Sequence, residues 1–301
     1  IKNSKNLENK IIGCSAIILT GLSYKIDKIY LNFGLNFLKK ITKHLIDNQG
    51  LMKSRNIKQQ IFYLKYFILI REWFKEAQVE IPEHLDETIY YLGQAYAYFW
   101  QNNQVSLLFN GNNNSNNKEF DKYLKLFRYN FNSDKLDTSG YTILKNQNAV
   151  LVMDTGGNPV KNFSENYQSG TLSFEFFFKG KKLITNSGYF QDHNHQLNGI
   201  SKSTATHSTL TLDNSSACNF KKNSRGSSTI SKGLKTFDNQ VTYEKDLWSI
   251  KCSHDGYLSR YGVIHQRRIK FDPDKYIIFG KERLIKKKNF KSTNFEIRFH
   301  L

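Results

Sequence analysis

Histidine, cysteine and an excess of lysine and arginine are the groups of this 301-residue sequence with ligating or proton-transfer chemistry. His207 stands out, because "SKSTATHSTLTLDN" (Ser201 to Asn214) surrounds it with Ser, Thr and alternating apolar residues that read as a β-strand. An imidazole in that setting is either an ordinary strand histidine or a metal ligand or proton carrier held by a rigid sheet. Other imidazoles fall in "DHNHQ" (His193, His195), in "SHDGY" (His254 beside Asp255) and in "IHQRR" (His265, two residues before Arg267). The Asp-Gly pair suits a tight turn, and His265 and Arg267 share one face of a strand. Cys14, Cys218 and Cys252 are far apart and odd in number, which indicates neither a disulfide framework nor a CxxC metal site and leaves the redox compartment open.

The formal net charge is +18, from 44 Lys and Arg against 26 Asp and Glu. Such a surface steers polyanions toward it, whether nucleic acid, anionic lipid or acidic polysaccharide. Part of the lysine excess reflects a biased composition, with only 3 Pro and tracts such as "NGNNNSNN". The basic clusters "KGKK", "FKKNSR" and "IKKKNFK" are short and scattered, and neither zinc-finger spacing nor an RNA-binding aromatic signature accompanies them, so nucleic acid is not expected as partner. The early apolar run "IIGCSAIILTGL" is well below the ~20 residues that span a bilayer and predicts a buried helix instead. The sequence begins at Ile1 and stops in strand-like alternation at "FEIRFHL", so both natural ends are expected to lie outside it, and the lack of a leader says nothing about export.

The elements that must position these residues change period along the chain. Up to about residue 100 the pattern is helical: "IYLNFGLNFLKKITKHLI" sets Ile29, Phe33, Phe37 and Ile41 four apart, and "QQIFYLKYFILIREWFKEA" and "LDETIYYLGQAYAYFW" continue it. From Gly140 the period becomes two, in "YTILKNQNAVLVMDTG", "GTLSFEFFFKGKKLITNSG", "NQVTYEKDLWSIKCSHDGY" and "YGVIHQRRIKFDPDKYIIFGKERL", bounded by Gly, Asn and Asp turns. This predicts an α+β multidomain chain: helices over 1–110, a linker with a short helix over 111–139, and an antiparallel β-sandwich over 140–301.

Four motifs in order, "SGYTIL…NAVLVMDTG", "GTLSFEFFFKGKKLITNSGYF", "STATHSTLTLDN" and "SHDGYLSRYGVIHQRRIKF", resemble the C-terminal sheet domain of heparinase II/III-like proteins, and "GLMKSRN" and "SLLFNG" resemble the end of the helical domain in a bacterial branch of that family. The resemblance implies a partial α/α toroid followed by the sandwich, with a basic saccharide cleft between them. It also implies a polysaccharide lyase that cleaves beside a uronic acid by β-elimination. That reaction neutralises the uronate carboxylate, removes the C5 proton and protonates the leaving O4, roles filled in the family by a Tyr/His pair with an Asn or His at the carboxylate. The implied partner is an acidic polysaccharide and the implied location periplasm or cell envelope, with oligomeric state open. The alternative on the same scaffold is a non-catalytic glycan-binding or envelope-assembly protein.

Carried over residue by residue, the resemblance places Asn166, Gln168 and Gly170 of "ENYQSGTLSF" where the family has two His and an Asp, the first His being catalytic and the second a ligand of a structural zinc in some members. Asn186 stands at a further zinc-ligand Asp, and His207 alone keeps its family identity. Asn166, Gln168 and His207 are thus the expected catalytic positions. Arg55, Tyr189, His254 and Arg267 are the expected substrate-binding ones, with Arg55 suited to a bidentate carboxylate pair. The competing expectation is structural: Ser54 and Arg55 at a helix N-terminal turn, and His207 held by hydrogen bonds near the cleft. Carboxamides bind zinc weakly, although His193 and His195 offer substitute ligands. No cofactor is expected: elemental analysis of the purified protein should find no stoichiometric zinc, and one zinc per chain, lost in His207→Ala, would show the opposite.

Overall fold

The computed structural model describes residues 7–24, 28–100, 106–113, 117–222, 226–287 and 289–301. Parts of the basic clusters, 223–225 and 288, and 114–116 of the asparagine tract lie outside the described residues. The chain divides into two compact units. One is drawn from Ile1–Lys53, Ile57–Gln101 and Asn117–Ser133, the other from Ser54–Asn56, Asn102–Asn116 and Asp134–Leu301.

The first unit holds α1 (Leu7–Ser23), α2 (Lys28–Leu45), α3 (Ile57–Glu76), α4 (Glu83–Trp100) and α5 (Lys118–Leu126). The apolar run near the start forms α1, which buries Ile11, Cys14, Ile18 and Leu22. The face expected of α2 is corrected in part, Ile41 being buried as expected. Gly34, Leu38, Ile41 and Leu45 are its buried residues, whereas Ile29 and Phe33 are exposed. The cause is close approach to α1: a Cβ on Gly34 would lie 2.6 Å from Ile18 Cγ1, and Cys14 Sγ–H donates to the Gly34 carbonyl at 3.2 Å. Only glycine admits a neighbouring helix at that distance, so the side without bulk is the side that packs. Gln60 of α3 is fully buried and donates to the carbonyls of Gly50 and Leu92, joining the loop after α2 to α4.

The second unit is antiparallel throughout. Strands β1 (Asp137–Thr138), β2 (Tyr141–Lys145), β3 (Ala149–Asp154), β4 (Phe174–Phe178) and β5 (Lys181–Ile184) form a five-stranded meander. A short α6 (Gln196–Ser201) precedes β6 (Leu210–Leu212), β7 (Asn219–Lys222) and β8 (Ser228–Lys232). Next come β9 (Thr236–Tyr243), β10 (Trp248–His254), the one-turn α7 (Leu258–Tyr261), β11 (Val263–Asp272), β12 (Ile277–Lys286) and β13 (Phe295–Ile297). β9 to β12 make a four-stranded meander, while β13 pairs with β6 and β7 with β8. Alternation along the strands builds the core. Leu151, Met153, Phe174 and Phe176 from the five-stranded sheet pack with Trp248, Ile250, Cys252, Ile269 and Phe271 from the four-stranded one. Two facing apolar sheet surfaces define a sandwich.

Residues 111–139 do not act as one linker. α5 goes with the helices, and Leu108 and Gly111 are tied to the sheet unit by N–H donation to Glu175 Oε2 (3.2 Å) and Gln168 Oε1 (3.1 Å). The strand expected around His207 starts later. Thr204–Thr206 form a 3-10 turn, His207 closes it, and β6 begins at Leu210.

Leu151 is fully buried in the inter-sheet core. Leu151→Ala is expected to lower unfolding free energy by about 2–5 kcal/mol, read as a lower denaturant midpoint with an unchanged slope.

Candidate functional site

The loop 155–173 and the segment 185–209 bring together Asn166, which is half-buried, and Tyr189, which is 6% exposed. Tyr189 Oη donates to Asn166 Oδ1 at 3.1 Å and accepts from Asn198 Nδ2 at 3.1 Å. Asn198, in α6, is held in turn by donation to the Phe190 carbonyl at 2.6 Å. Asn166 is half-buried, and its amide nitrogen makes no hydrogen bond to any described residue, so an N–H pair is available to a ligand. Burial pushes the Tyr189 phenol up to about 12, the Asn198 hydrogen bond working against this and the Glu165 charge adding to it. The phenol is therefore a proton donor at neutral pH.

Lys202, which follows α6, lies beneath this pair. It is buried, with Nζ donating to the carbonyls of Ser228 (2.7 Å) and Glu165 and standing 5.9 Å from the centre of the Tyr189 ring. Burial lowers its ammonium to about 8, with the Glu165 charge opposing. Nothing in "GISKSTAT" distinguishes this lysine from the surface ones, so sequence reasoning missed it. At the rim, His193 Nε2 lies 3.8 Å from Glu165 Oε1.

Gln168, His207 and Asn186 sit deeper. Gln168 is fully buried, its Nε2 donating to the carbonyls of Gly188 (2.9 Å) and Ser201 (2.6 Å) and its Oε1 accepting from Gly111 N–H. His207 is 1% exposed, with Nδ1 2.8 Å from the Ser203 carbonyl, so Nδ1 carries the hydrogen. Its Nε2 is buried without a partner among the described residues. The ring lies flat against Gly170, where a Cβ would come within 2.5 Å of His207 Cδ2. Asn186 Oδ1 accepts from Ser208 N–H at 2.9 Å. One imidazole nitrogen with two committed carboxamides and no carboxylate does not fit zinc, and no group of three His, Cys, Asp or Glu side chains gathers among the described residues. Gln168 and His207 shape the floor under Asn166 and Tyr189 and have no surface through which to touch a saccharide.

The expected substrate contacts of Arg55, Arg267 and His254 are corrected. All five N–H donors of Arg55 are in use: Nε to the Ser139 carbonyl, Nη1 to Gly156 and Gly157, Nη2 to Gly140 and to Asp154 Oδ1 at 2.7 Å. None remains for a uronate carboxylate. Arg267 is fully buried, donating through Nε to Glu282 Oε1 (2.6 Å) and through Nη1 to the carbonyls of Leu172 and Ser208. His254 is buried in the same network. Its Nδ1 accepts from Gly256 N–H, so its Nε2–H donates to His265 Nδ1 (3.1 Å), whose Nε2–H then donates to Glu282 Oε2 (2.6 Å). Each hydrogen position follows from the one before it. Burial lowers both imidazoles; the Glu282 carboxylate opposes this at His265, and the Arg267 charge reinforces it at both.

A helical unit and a two-sheet sandwich, the latter with a hydrogen-bonded Tyr–Asn pair in its loops, define a class rather than an activity. The family model for heparinase II/III-like C-terminal domains matches residues 129–301, more than half of the chain, and the chain belongs to that family. Among solved structures it is similar to the heparan sulfate lyase HepC from Pedobacter heparinus, at 18% identity and a TM-score of 0.71 over 92% of this chain and 45% of that one. It is also similar to the heparinase III BT4657 gene product, at 17% identity and a TM-score of 0.70 over 87% and 43%. The chain thus spans less than half the length of these lyases, and at such identities the likeness is one of fold. Comparison with curated proteins gives no sequence match.

Burial lowers His207 from its ordinary value near 6.5 to about 4, the Ser203 hydrogen bond opposing and the His300 charge assisting. Because the folded value is depressed, the unfolded chain binds more protons between those limits, and stability falls as pH drops from 6.5 toward 4. The His207 share is about 3 kcal/mol. His207→Gln should flatten the fall of the urea midpoint across that window by about one proton's worth, leaving the share from His254 and His265. Parallel curves for the two proteins would show that His207 is not buried neutral.

Proposed function

We propose that the chain contributes the sheet-side residues of a polysaccharide lyase acting on a uronic-acid-containing acidic polysaccharide. The observation that carries this reading is the Asn166–Tyr189 hydrogen bond in a heparinase II/III-like sheet domain, in which the half-buried Asn166 keeps its amide N–H pair uncommitted above the buried Tyr189. In β-elimination the C5 proton passes to a general base, which is not among these sheet-side residues, the C5–H electrons form the C4–C5 double bond, and the C4–O4 bond breaks with protonation of O4. The Asn166 amide N–H group hydrogen-bonds the uronate carboxylate and favours the charge that develops as C5 loses its proton. Tyr189, which keeps its proton at neutral pH, gives it to the leaving oxygen. Lys202 adds a cation under the ring and favours the phenolate that results. Gln168 and His207 set the loop geometry. No metal enters this scheme.

A second reading, a non-catalytic glycan-binding protein, is favoured by one feature: carboxamides stand at both 166 and 168, and neither transfers protons. The two readings separate by absorbance of the unsaturated uronate product over a panel of acidic polysaccharides, heparan sulfate included. Product formation is expected, with Tyr189→Phe lowering the rate by about a hundredfold and Asn166→Ala lowering kcat as well as raising KM. Binding without product on every polysaccharide would sink the lyase reading in favour of the second.

A further inference from the structure

The outer face of the four-stranded sheet carries a feature that the loop site does not use. In register across all four strands lie Gln240, Lys251, Arg268 and Lys281, so three cations occupy directly opposed positions on β10, β11 and β12. The neighbouring rungs add Ser253, Gln266 and Arg283 on one side and Ser249, Lys270 and Phe279 on the other. Gln266, Arg268, Lys281 and Arg283 close around a small cavity of about 60 Å³. Among the described residues, none of the five cations lies within ion-pair distance of a carboxylate. Glu282 of β12 points to the opposite face, to His265 and Arg267. At the margins, Asp238 Oδ2 is 3.5 Å from Ser253 Oγ, and Asp272 pairs with Lys275.

Like charges set directly opposite one another destabilise a sheet. Lysine on the edge strand β12 has a plain explanation in blocking edge-to-edge pairing, but Lys251 and Arg268 lie on the two inner strands, where no edge needs protection. The arrangement is relieved by an anionic partner laid across the strands. Cations on successive strands recur every ~4.8 Å, comparable to the length of one pyranose residue in a polysaccharide. Nucleic acid fits less well, since single strands are held by successive stacking aromatics between the cations, and the exposed rings of this face among the described residues, Phe279 on β12 and Phe237 opposite Ser253 on β9, flank the cations rather than alternate with them.

We infer that this face is a second binding surface for an acidic polysaccharide, running across β10, β11 and β12, which holds a long substrate chain away from the bond being cleaved. The inference rests on the lyase reading for the identity of the chain it holds, and its test is independent of turnover. Affinity for fluorescent heparan sulfate is measured for the wild-type protein, for Lys281→Glu/Arg283→Glu, and for a control of equal charge change on α5, Lys122→Glu/Lys125→Glu. The sheet-face pair should weaken binding by about tenfold or more and the control by less than about twofold. The conservative Lys281→Gln should also weaken binding and, without glycan, raise the melting temperature at low salt, an effect that vanishes at high salt. Equal loss in both double variants, no loss in the sheet-face pair, or binding of a single-stranded oligonucleotide as tight as that of heparan sulfate would overturn the assignment. Loss of binding in the sheet-face pair, with no unsaturated product from any protein, keeps this surface and removes the lyase reading alone.

Discussion

The sheet unit is organised around the buried ion pair of Arg55 and Asp154. Burial works against the Arg55 charge, and Asp154 together with Tyr141 and Tyr167 more than offsets it. Two charges out of water are tolerable only when every hydrogen-bonding site around them is filled, and here four backbone carbonyls complete the guanidinium. Those carbonyls come from Ser139–Gly140 and Gly156–Gly157, two turns separated in sequence by a β-hairpin. Gly156 must be glycine, since a Cβ would stand 2.5 Å from Arg55 Cζ. Asp154 also accepts from Asn110 Nδ2 at 3.1 Å, and Asn110 Oδ1 accepts the backbone N–H of Gln168 at 3.3 Å. The loop that presents Asn166 therefore hangs from the ion pair through one asparagine. Arg55 belongs to the site through this suspension rather than through contact with a sugar.

A second set of buried charges orders the other sheet. Glu282 receives His265 on one oxygen and Arg267 on the other, and Arg267 reaches the carbonyls of Leu172 and Ser208. Leu172 lies on the loop that leads into β4, and Ser208 follows His207. The network thus links the four-stranded sheet to both segments that carry the candidate site. Its histidines are neutral and their tautomers are set in sequence, which makes it a rigid support rather than a store of exchangeable protons.

Much of the architecture was legible in the sequence because period 3.6 and period 2 separate cleanly at Gly140. What escaped was whatever depends on partners remote in the chain. The buried face of α2 follows from the smallness of Gly34 against Ile18, and a count of large apolar residues points to the wrong side. The turn before His207 is fixed by the Ser203 carbonyl, and its local composition resembles a strand. Arg55 meets Asp154 across 99 residues, so its type suggested a ligand when its environment made it structural. Asn166 and Tyr189 emerged from motif likeness. Lys202 carried no signal at all, because what sets it apart is burial.

The contact between Gly170 and the His207 ring bears on which side chains position 170 admits. The family resemblance puts an aspartate at 170, yet any side chain there collides with the imidazole as it now lies. A side chain at 170 is compatible with His207 only if the imidazole turns away from its present position. The two positions are therefore coupled through the orientation of the ring rather than through its identity, and the pose of the imidazole is set by one missing methylene.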